Sequence, residues 1–442
     1  MIDILLVSLP IQTLLTKQIL EGYDFSPSMG LIYLNTYLEL NGFRADIIDL
    51  IYDNLTKEQF LNKVDELSPL VIGISSYTEN IELAVKVAKS IKNRFPNIYT
   101  VIGGPHISLC QKEFIDNKEF DFAIINEGES TIVELLEAIK TNQQIIRYND
   151  IDGLMYRIDN EIFHNPNRQY IKALDLIPIP KRDYFGLERF KNNKLLLINS
   201  SRGCPNKCIY CSANVLSGNK YRVRNIDNVF LEIIMLQKLI DPIQYTITDD
   251  SFTIIRSRVN RFLDLIDEYK ATFRWECESI VKHMDEELLD RLKDSNVISI
   301  QYGMESGNQE VLNKIRKGIN LEYAEKIIKA TQERGITPLL SFIFGHFCET
   351  KETAQDTLDF MRKAVTQYDA SVAASYNTPF PGTYQYEHMD ELNMYLLTDD
   401  FKMFTLKTPV VYNDNFSADD QRNFMYEVAN LRKERKCYKY NQ

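Results

Sequence analysis

Three of the chain's seven cysteines lie in one loop, "SSRGCPNKCIYCSAN", as Cys204, Cys208 and Cys211. A group of soft thiolates selects zinc, copper(I) or an iron-sulfur cluster. Structural zinc is closed by four protein ligands, usually as two separated pairs, and no second pair stands near these three, so zinc fits poorly. A [4Fe-4S] cluster takes one thiolate per iron. With three thiolates one iron keeps an open coordination position, which is where an enzyme can bind and reduce a substrate. Gly203 and Pro205 bend the loop so that the thiols can converge, and Arg202 and Lys207 flank it. The competing reading, three buried thiols with no ligand, is weak because free cysteines are ordinarily scattered.

The rest of the composition bounds what such a loop can belong to. A chain of 442 residues implies two or three domains, and 44% hydrophobic with 26% charged residues is ordinary for a folded protein. A formal charge of -11 argues against nucleic acid as a partner. The one basic cluster, "RKERKCYK" after Leu431, reads as a solvated helix end. "MIDILLVSLP" has no basic flank and breaks at Pro10, and no apolar run approaches the roughly 18 residues of a membrane span. The expectation is a cytoplasmic protein with no membrane partner, its thiols reduced and available to metal.

Two series of elements must position the loop. Up to about residue 145 apolar strands ("IDILLVSLP", "FRADIID", "LVIGISS", "YTVIGG", "FDFAIIN") alternate with helical patterns, which predicts an α/β domain with a doubly wound parallel sheet. Ligands of such sheets sit beyond the carboxyl ends of the strands, where Ser75, Ser76, Gly103 and Gly104 stand. Small residues there also serve tight turns with no ligand at all. Residues 146–193 change character: "DGLMYRIDNEIFHNPNRQYI" predicts a hairpin turning at Asp159-Asn160, read as part of a linker strapped onto the second domain. From 194 to 383 six strand-helix units follow, with polar residues at the carboxyl ends: the cysteine loop, Asp249-Asp250, Glu276 and Glu278, Glu305-Ser306, Gly345-His346, and Tyr376-Asn377. That describes a partial (β/α)6 barrel with its site on that face. An open six-stranded sheet gives the same string. Glu276 and Glu278 alternate with Trp275 and Cys277, so one pair faces the lumen and the other the helices. Residues 384–442 form a short C-terminal segment capping the barrel.

A Cys-x3-Cys-x2-Cys loop directly after the first strand of such a repeat resembles the radical S-adenosylmethionine (radical SAM) superfamily. The resemblance implies that Cys204, Cys208 and Cys211 hold a [4Fe-4S] cluster whose open iron chelates SAM, and that reductive cleavage of SAM yields a 5'-deoxyadenosyl radical. It places the aromatic Tyr210 near the adenine. "YGMESG" looks like the fourth-strand motif, with Glu305 and Ser306 toward the SAM ribose or amino group, and "TDDSF" looks like the second-strand end with Asp249 and Asp250. "FIFGHFCET" resembles the fifth-strand glycine motif at Gly345, with "FCET" where the family often has Pro-Gly-Glu-Thr. Upstream, "SPSMGLIYLNTYLELNG", "VIGISSYTEN", "VIGGPHIS" and "INEGEST" look like the Rossmann-like cobalamin-binding domain of the B12-dependent class. This implies a cobalamin tail along Ser75, Ser76, Gly103 and Gly104. Because the loop from Ser8 to Ser28 contains no His, the cobalt should lack a histidine lower ligand. The likeness extends to about Gly382.

The resemblance implies a cobalamin-dependent radical SAM methyltransferase acting on an unactivated carbon, or a phosphinate phosphorus, of a small molecule. It also implies an electron donor such as flavodoxin or ferredoxin. A cyclase or rearrangement enzyme with the same cofactors is the alternative, and a carrier without turnover would make no 5'-deoxyadenosine. A transfer-RNA methylthiotransferase is disfavoured, since the first 190 residues hold only Cys110 and the end of the chain offers no basic RNA-binding domain. Of the remaining residues, His106 reads as a polar loop residue, and His346 as an acid-base group or a pocket wall. His164, His283 and His388 read as surface, and Cys110, Cys277, Cys348 and Cys437 as ordinary thiols. One of Asp249 and Asp250 is expected to be functional, since adjacent carboxylates repel and need a partner.

Overall fold

The computed structural model describes residues 1–11, 27–141, 147–187, 190, 195–241 and 244–440, with side chains to 433. Most of the Ser8–Ser28 loop, the side chain of Cys437 and most of the basic cluster lie outside the described residues. The chain divides into two compact units, Met1–Asn192 with Val215–Gly218, and Asn193–Asn214 with Asn219–Gln442.

The first unit runs β1 (Ile4–Ser8), α1 (Met29–Leu40), β2 (Ala45–Asp49), α2 (Lys57–Leu67), β3 (Val71–Ser75), α3 (Ile81–Arg94), β4 (Tyr99–Gly103), α4 (Pro105–Leu109), α5 (Lys112–Asp116), β5 (Phe122–Ile124) and α6 (Glu129–Lys140). All of β1 and most of β3 are buried, the pattern of parallel strands covered by helices on both faces. The parallel order is β2-β1-β3-β4-β5, so the chain reverses direction between β1 and β3 and leaves a crevice at their carboxyl ends, beside Ser8 and Ser75.

The hairpin expected at residues 152–171 forms as β6 (Leu154–Ile158) and β7 (Glu161–His164), with Asp159 and Asn160 at φ 49° and 71° as a two-residue turn requires. The expected linker hairpin is instead part of the first unit's sheet. It extends the first sheet, β6 lying antiparallel to β5 and pairing Leu154, Met155 and Tyr156 with Ile124, Ala123 and Phe122. Three-residue β5 would otherwise leave an open edge, and Tyr156 continues an aromatic row through Tyr148 to Phe122.

Gly104 shows how tightly the ends of β3 and β4 are joined. Its φ is +96°, and a Cβ there would lie 2.8 Å from both the backbone N and O of Ser76. Gly104→Ala should therefore lower unfolding stability by about 3 kcal/mol or more, since neither backbone atom can yield cheaply. Gly30→Ala, in α1 with only Ser28 Oγ at 4.0 Å, is the control and should be neutral or slightly stabilising in the same urea titration.

The second unit runs β8 (Leu195–Ile198), α7 (Ile226–Leu239), β9 (Gln244–Ile247), α8 (Arg256–Tyr269), β10 (Trp275–Ser279), α9 (Glu286–Lys293), β11 (Val297–Glu305), α10 (Leu321–Glu333), β12 (Thr337–Phe344), α11 (Lys351–Tyr368), β13 (Ser371–Tyr376) and finally α12 (Ala418–Tyr440). The six strands of its main sheet pair in sequence order, all parallel, and edge strands β8 and β13 do not pair with each other, so the barrel is open. Trp275, Cys277 and Ser279 are buried, Trp275 edge-on to Phe252 and Phe262 on the helix side. Parity then turns Glu276 and Glu278 to the lumen.

Candidate cofactor and active site

The cysteine loop leaves β8 through a turn fixed by Asp249. This carboxylate accepts from the backbone N–H of Ser200 at 2.7 Å and of Ser201 at 2.9 Å, and from the Ser200 hydroxyl. Asp249 and Ser200 are fully buried, with Arg258 4.0 Å from the carboxylate. Asp249 is thus committed to holding the loop entrance rather than facing a ligand. Further on, the N–H of Ile209 donates to the Ile315 carbonyl at 3.2 Å, and the N–H of Gln385, in the C-terminal segment, donates to the Ile209 carbonyl at 3.1 Å. The backbone between Cys208 and Tyr210 is therefore fixed without help from the thiols.

All three thiols are partly buried. Asn206 Nδ2 donates to Cys204 Sγ at 3.2 Å, and the N–H of Ala213 to Cys211 Sγ at 3.5 Å. Burial pushes the Cys208 thiol up and the Cys211 thiol to about 11, so these two stay protonated when bare, and a bound cluster would hold them as thiolates. Among the described residues only His106, Cys110 and Glu113 bring three metal-ligand atoms within 4.8 Å of one another.

Around the loop the strand ends of β11 and β12 form a wall. The Tyr210 ring lies 5.6 Å from His346, centroid to centroid, and its hydroxyl accepts from Lys317 Nζ at 3.4 Å. Lys317, which no motif singles out, is buried and donates to Glu305 Oε1 at 2.6 Å. Room for this pair comes from Gly303, where a Cβ would meet Glu305 Oε1 at 2.7 Å and Lys317 Nζ at 2.9 Å. The register slips between Gly303 and Glu305, and Glu305 takes φ 69°, turning its carboxylate onto the lysine.

Ser306 is turned away from this wall. It is fully buried, its hydroxyl is paired with Thr357 Oγ1 at 3.1 Å and it accepts from the N–H of Asn308. Gly345, at φ +99°, donates its N–H to Glu349 Oε2 at 2.6 Å. A Cβ on Gly345 would meet only the end of the Gln421 side chain of α12, at 2.7 Å, so glycine is required there by its φ. Glu349 is the glutamate of the FCET stretch; burial pushes its carboxyl up to about 8, so it is mainly neutral at pH 7. His346 is buried as well, and burial lowers it to about 3, so its imidazole is neutral throughout the physiological range. That removes it as a cationic acid and leaves it as part of the wall beside Tyr210.

The lumen is acidic. Glu276 accepts from Thr246 at 2.6 Å and Ser299 at 2.7 Å, which holds it in place. Asp250 opens to solvent at the mouth, its carboxyl raised by its partly enclosed position and by Asp249. Burial, followed by the Asp250, Asp249 and Glu305 charges, pushes Glu278 up to about 7. A carboxyl raised on folding imposes no penalty while it is protonated in both states, and it destabilises the fold increasingly as pH rises from its ordinary value to about 7. Glu278→Gln should match the parent at pH 4 and exceed its unfolding stability by about 2 kcal/mol at pH 8, after allowance for solvent in the lumen. Parallel urea titrations at the two pH values check this; an equal gap at both would contradict the assignment.

At the first unit's strand ends, Ser76 is fully buried and its hydroxyl donates to the Gly103 carbonyl at 2.9 Å. Ser76 and Gly104 therefore stitch β3 to β4 and offer little to a ligand. Ser75 and Gly103 remain partly open, and a Cβ on Gly103 would meet only the Ile124 carbonyl, at 3.8 Å, so this edge has room for a nucleotide tail. His106 is fully buried in α4 rather than on a loop. Of the residues read as surface, His164 is exposed and His283 and His388 are half-buried.

Comparison with known proteins agrees with the two-part fold. Residues 20–136 match the B12 binding domain, and residues 198–361 match the radical SAM superfamily. An uncharacterized methyltransferase of Pyrococcus horikoshii is 28% identical over 398 residues, spanning 89% of this chain and 84% of that one. The anaerobic magnesium-protoporphyrin IX monomethyl ester cyclase of Rubrivivax gelatinosus is 26% identical, over 88% of this chain and 70% of that one. Among solved structures, the radical S-adenosylmethionine methyltransferase TsrM of Kitasatospora setae, with cobalamin and a [4Fe-4S] cluster bound, superposes with a TM-score of 0.77 at 17% identity, covering 97% of this chain and 88% of that one. No described helix is long and apolar enough to cross a membrane. With an N-terminal B12-binding domain followed by an open parallel barrel that carries Cys204, Cys208 and Cys211 after its first strand, the chain belongs to the B12-binding-domain-containing radical SAM proteins.

Proposed function

We propose that this chain is a cobalamin-dependent methyltransferase that acts on an unactivated carbon, or a phosphinate phosphorus, of a small molecule. One observation carries the reading: three partly buried thiols on a single loop after the first strand of a barrel with an acidic lumen, in one chain with a B12-binding domain. When bound, the cluster supplies the electron that cleaves SAM, and cobalamin supplies a methyl carrier. Cys204, Cys208 and Cys211 would hold the cluster, and Ser75 and Gly103 would border the cobalamin tail. Tyr210 and neutral His346 wall the cluster side of the lumen, while Lys317 holds the Glu305 carboxylate in place. Glu276 and Glu278 face whatever enters, and the C-terminal segment ties the loop down through Gln385. Asp250, open at the mouth, stays a candidate contact to SAM or substrate. Flavodoxin or ferredoxin would serve as the electron donor.

A cyclase or rearrangement enzyme is the second reading, and the 26% identity to the Rubrivivax cyclase favours it. Two measurements on anaerobically purified protein from cells supplied with cobalamin separate the outcomes. Metal content should show about four Fe and one Co per chain. Iron without cobalt would leave a radical SAM enzyme whose first domain has another task, and zinc in place of iron would overturn the assignment. Incubation with SAM and a reductant should give both S-adenosylhomocysteine and 5'-deoxyadenosine. Only the latter supports the cyclase reading, and neither would indicate a carrier.

A further inference from the structure

We propose that His106, Cys110 and Glu113 form a binding site for one divalent cation of the zinc class in the first unit, using none of the loop cysteines. The nitrogen, sulfur and carboxylate oxygen of these three side chains all lie within 4.8 Å of one another, with His106 fully buried and the other two partly so. The chain is shaped to bring them together. His106 and Cys110 are four residues apart, α4 ends at Cys110 in extended conformation (φ -146°, ψ 114°), and α5 then returns Glu113 to the histidine. Glu113 Oε2 sits 3.0 Å from His106 Nε2, and the Cys110 thiol faces the same carboxylate.

The other ring nitrogen supplies the orientation a ligand needs. His106 Nδ1 is 3.1 Å from Thr78 Oγ1: with the proton on Nε2 the ring donates to Glu113, and with the proton on Nδ1, donated to Thr78, Nε2 turns a lone pair toward Glu113. In the tautomer with the proton on Nδ1, one cation satisfies nitrogen, oxygen and sulfur together. One imidazole, one thiolate and one carboxylate form a mixed hard-soft set that zinc accepts, leaving a fourth position for water. Charge balances too: thiolate and carboxylate neutralise a dipositive ion, which a largely buried site demands. Loading is proton exchange, with the ion taking the place of the Cys110 thiol proton, which leaves to solvent, and no electron moves.

The test uses the full chain loaded with its iron and cobalamin, treated with a mild chelator, dialysed with Zn2+ and then freed of excess metal. Zinc and iron are counted by mass spectrometry, and the zinc is examined by X-ray absorption. The expected result is one zinc per chain with a single sulfur at about 2.3 Å and nitrogen or oxygen at about 2.0–2.2 Å. Cys110→Ser and His106→Gln should each lose at least tenfold in zinc affinity with iron content unchanged. Zinc carrying three sulfurs would place the ion in the cysteine loop and overturn the proposal, as would equal zinc in parent and variants. Should either variant fail to fold, calorimetry on the parent in two buffers of different ionisation enthalpy decides: about one proton released per zinc supports the site, and no saturable binding overturns it. Since iron is counted separately, failure here leaves the assignment of the cysteine loop untouched.

Discussion

Replacing any one of Cys204, Cys208 and Cys211 with alanine is expected to strip the chain of its iron-sulfur cluster and to lower 5'-deoxyadenosine formation by on the order of a thousandfold or more. With only three thiolates available, none is redundant. Loss of folding would not account for the result, because the loop is anchored through the Ile209 backbone on both sides and through Asp249 at its entrance, none of which involves a thiol. Cys277→Ala and Cys348→Ala are the controls. Cys277 is buried on the helix side of β10, and Cys348 is partly buried beyond the end of β12. Both variants should keep their iron. Iron and sulfide content with chromatographic detection of 5'-deoxyadenosine give the answer, and a loop variant that retained a cluster and its activity would remove the thiol triad from the site.

The loop was legible in the sequence because its chemistry is local: three ligands in eight residues need no knowledge of the fold. Strand-helix alternation was legible for the same reason, each element carrying its own apolar period. What was not legible depends on which surfaces meet. An amphipathic hairpin reads alike whichever sheet it joins, and only the short, open edge of β5 shows that β6 belongs to the first sheet. Parity along β10 could not say which pair of residues faced inward until Trp275 was seen packed on Phe252 and Phe262. Asp249 and Ser306, both at strand ends, proved to be spent on the backbone of a turn and on Thr357. Lys317 left no trace because its partner, Glu305, is twelve residues back, beyond a turn and a short helix, Gln309–Lys314.

That pair gives the other large expected effect. Lys317→Met should destabilise the second unit by about 3–5 kcal/mol, because it leaves the Glu305 carboxylate buried without a counter-charge. The backbone makes the loss worse: Glu305 sits at φ 69°, a conformation that a non-glycine residue keeps only when its surroundings insist on it, and the lysine is one of the groups that do. Glu305→Gln should cost a similar amount by stranding the ammonium. In Lys317→Met/Glu305→Gln both buried charges are gone, and most of the stability should return, to within about 1–2 kcal/mol of the parent. If the pair served stability alone, the double variant would cleave SAM normally. The placement of Lys317 against the Tyr210 hydroxyl argues otherwise: the pair fixes the aromatic next to Cys211, so the recovered fold should still cleave SAM at least tenfold more slowly. Anaerobic urea unfolding of the four proteins yields the coupling energy, and SAM cleavage on the same samples separates a strut from a group that shapes the cofactor pocket. Full recovery of both would reduce Lys317 and Glu305 to packing.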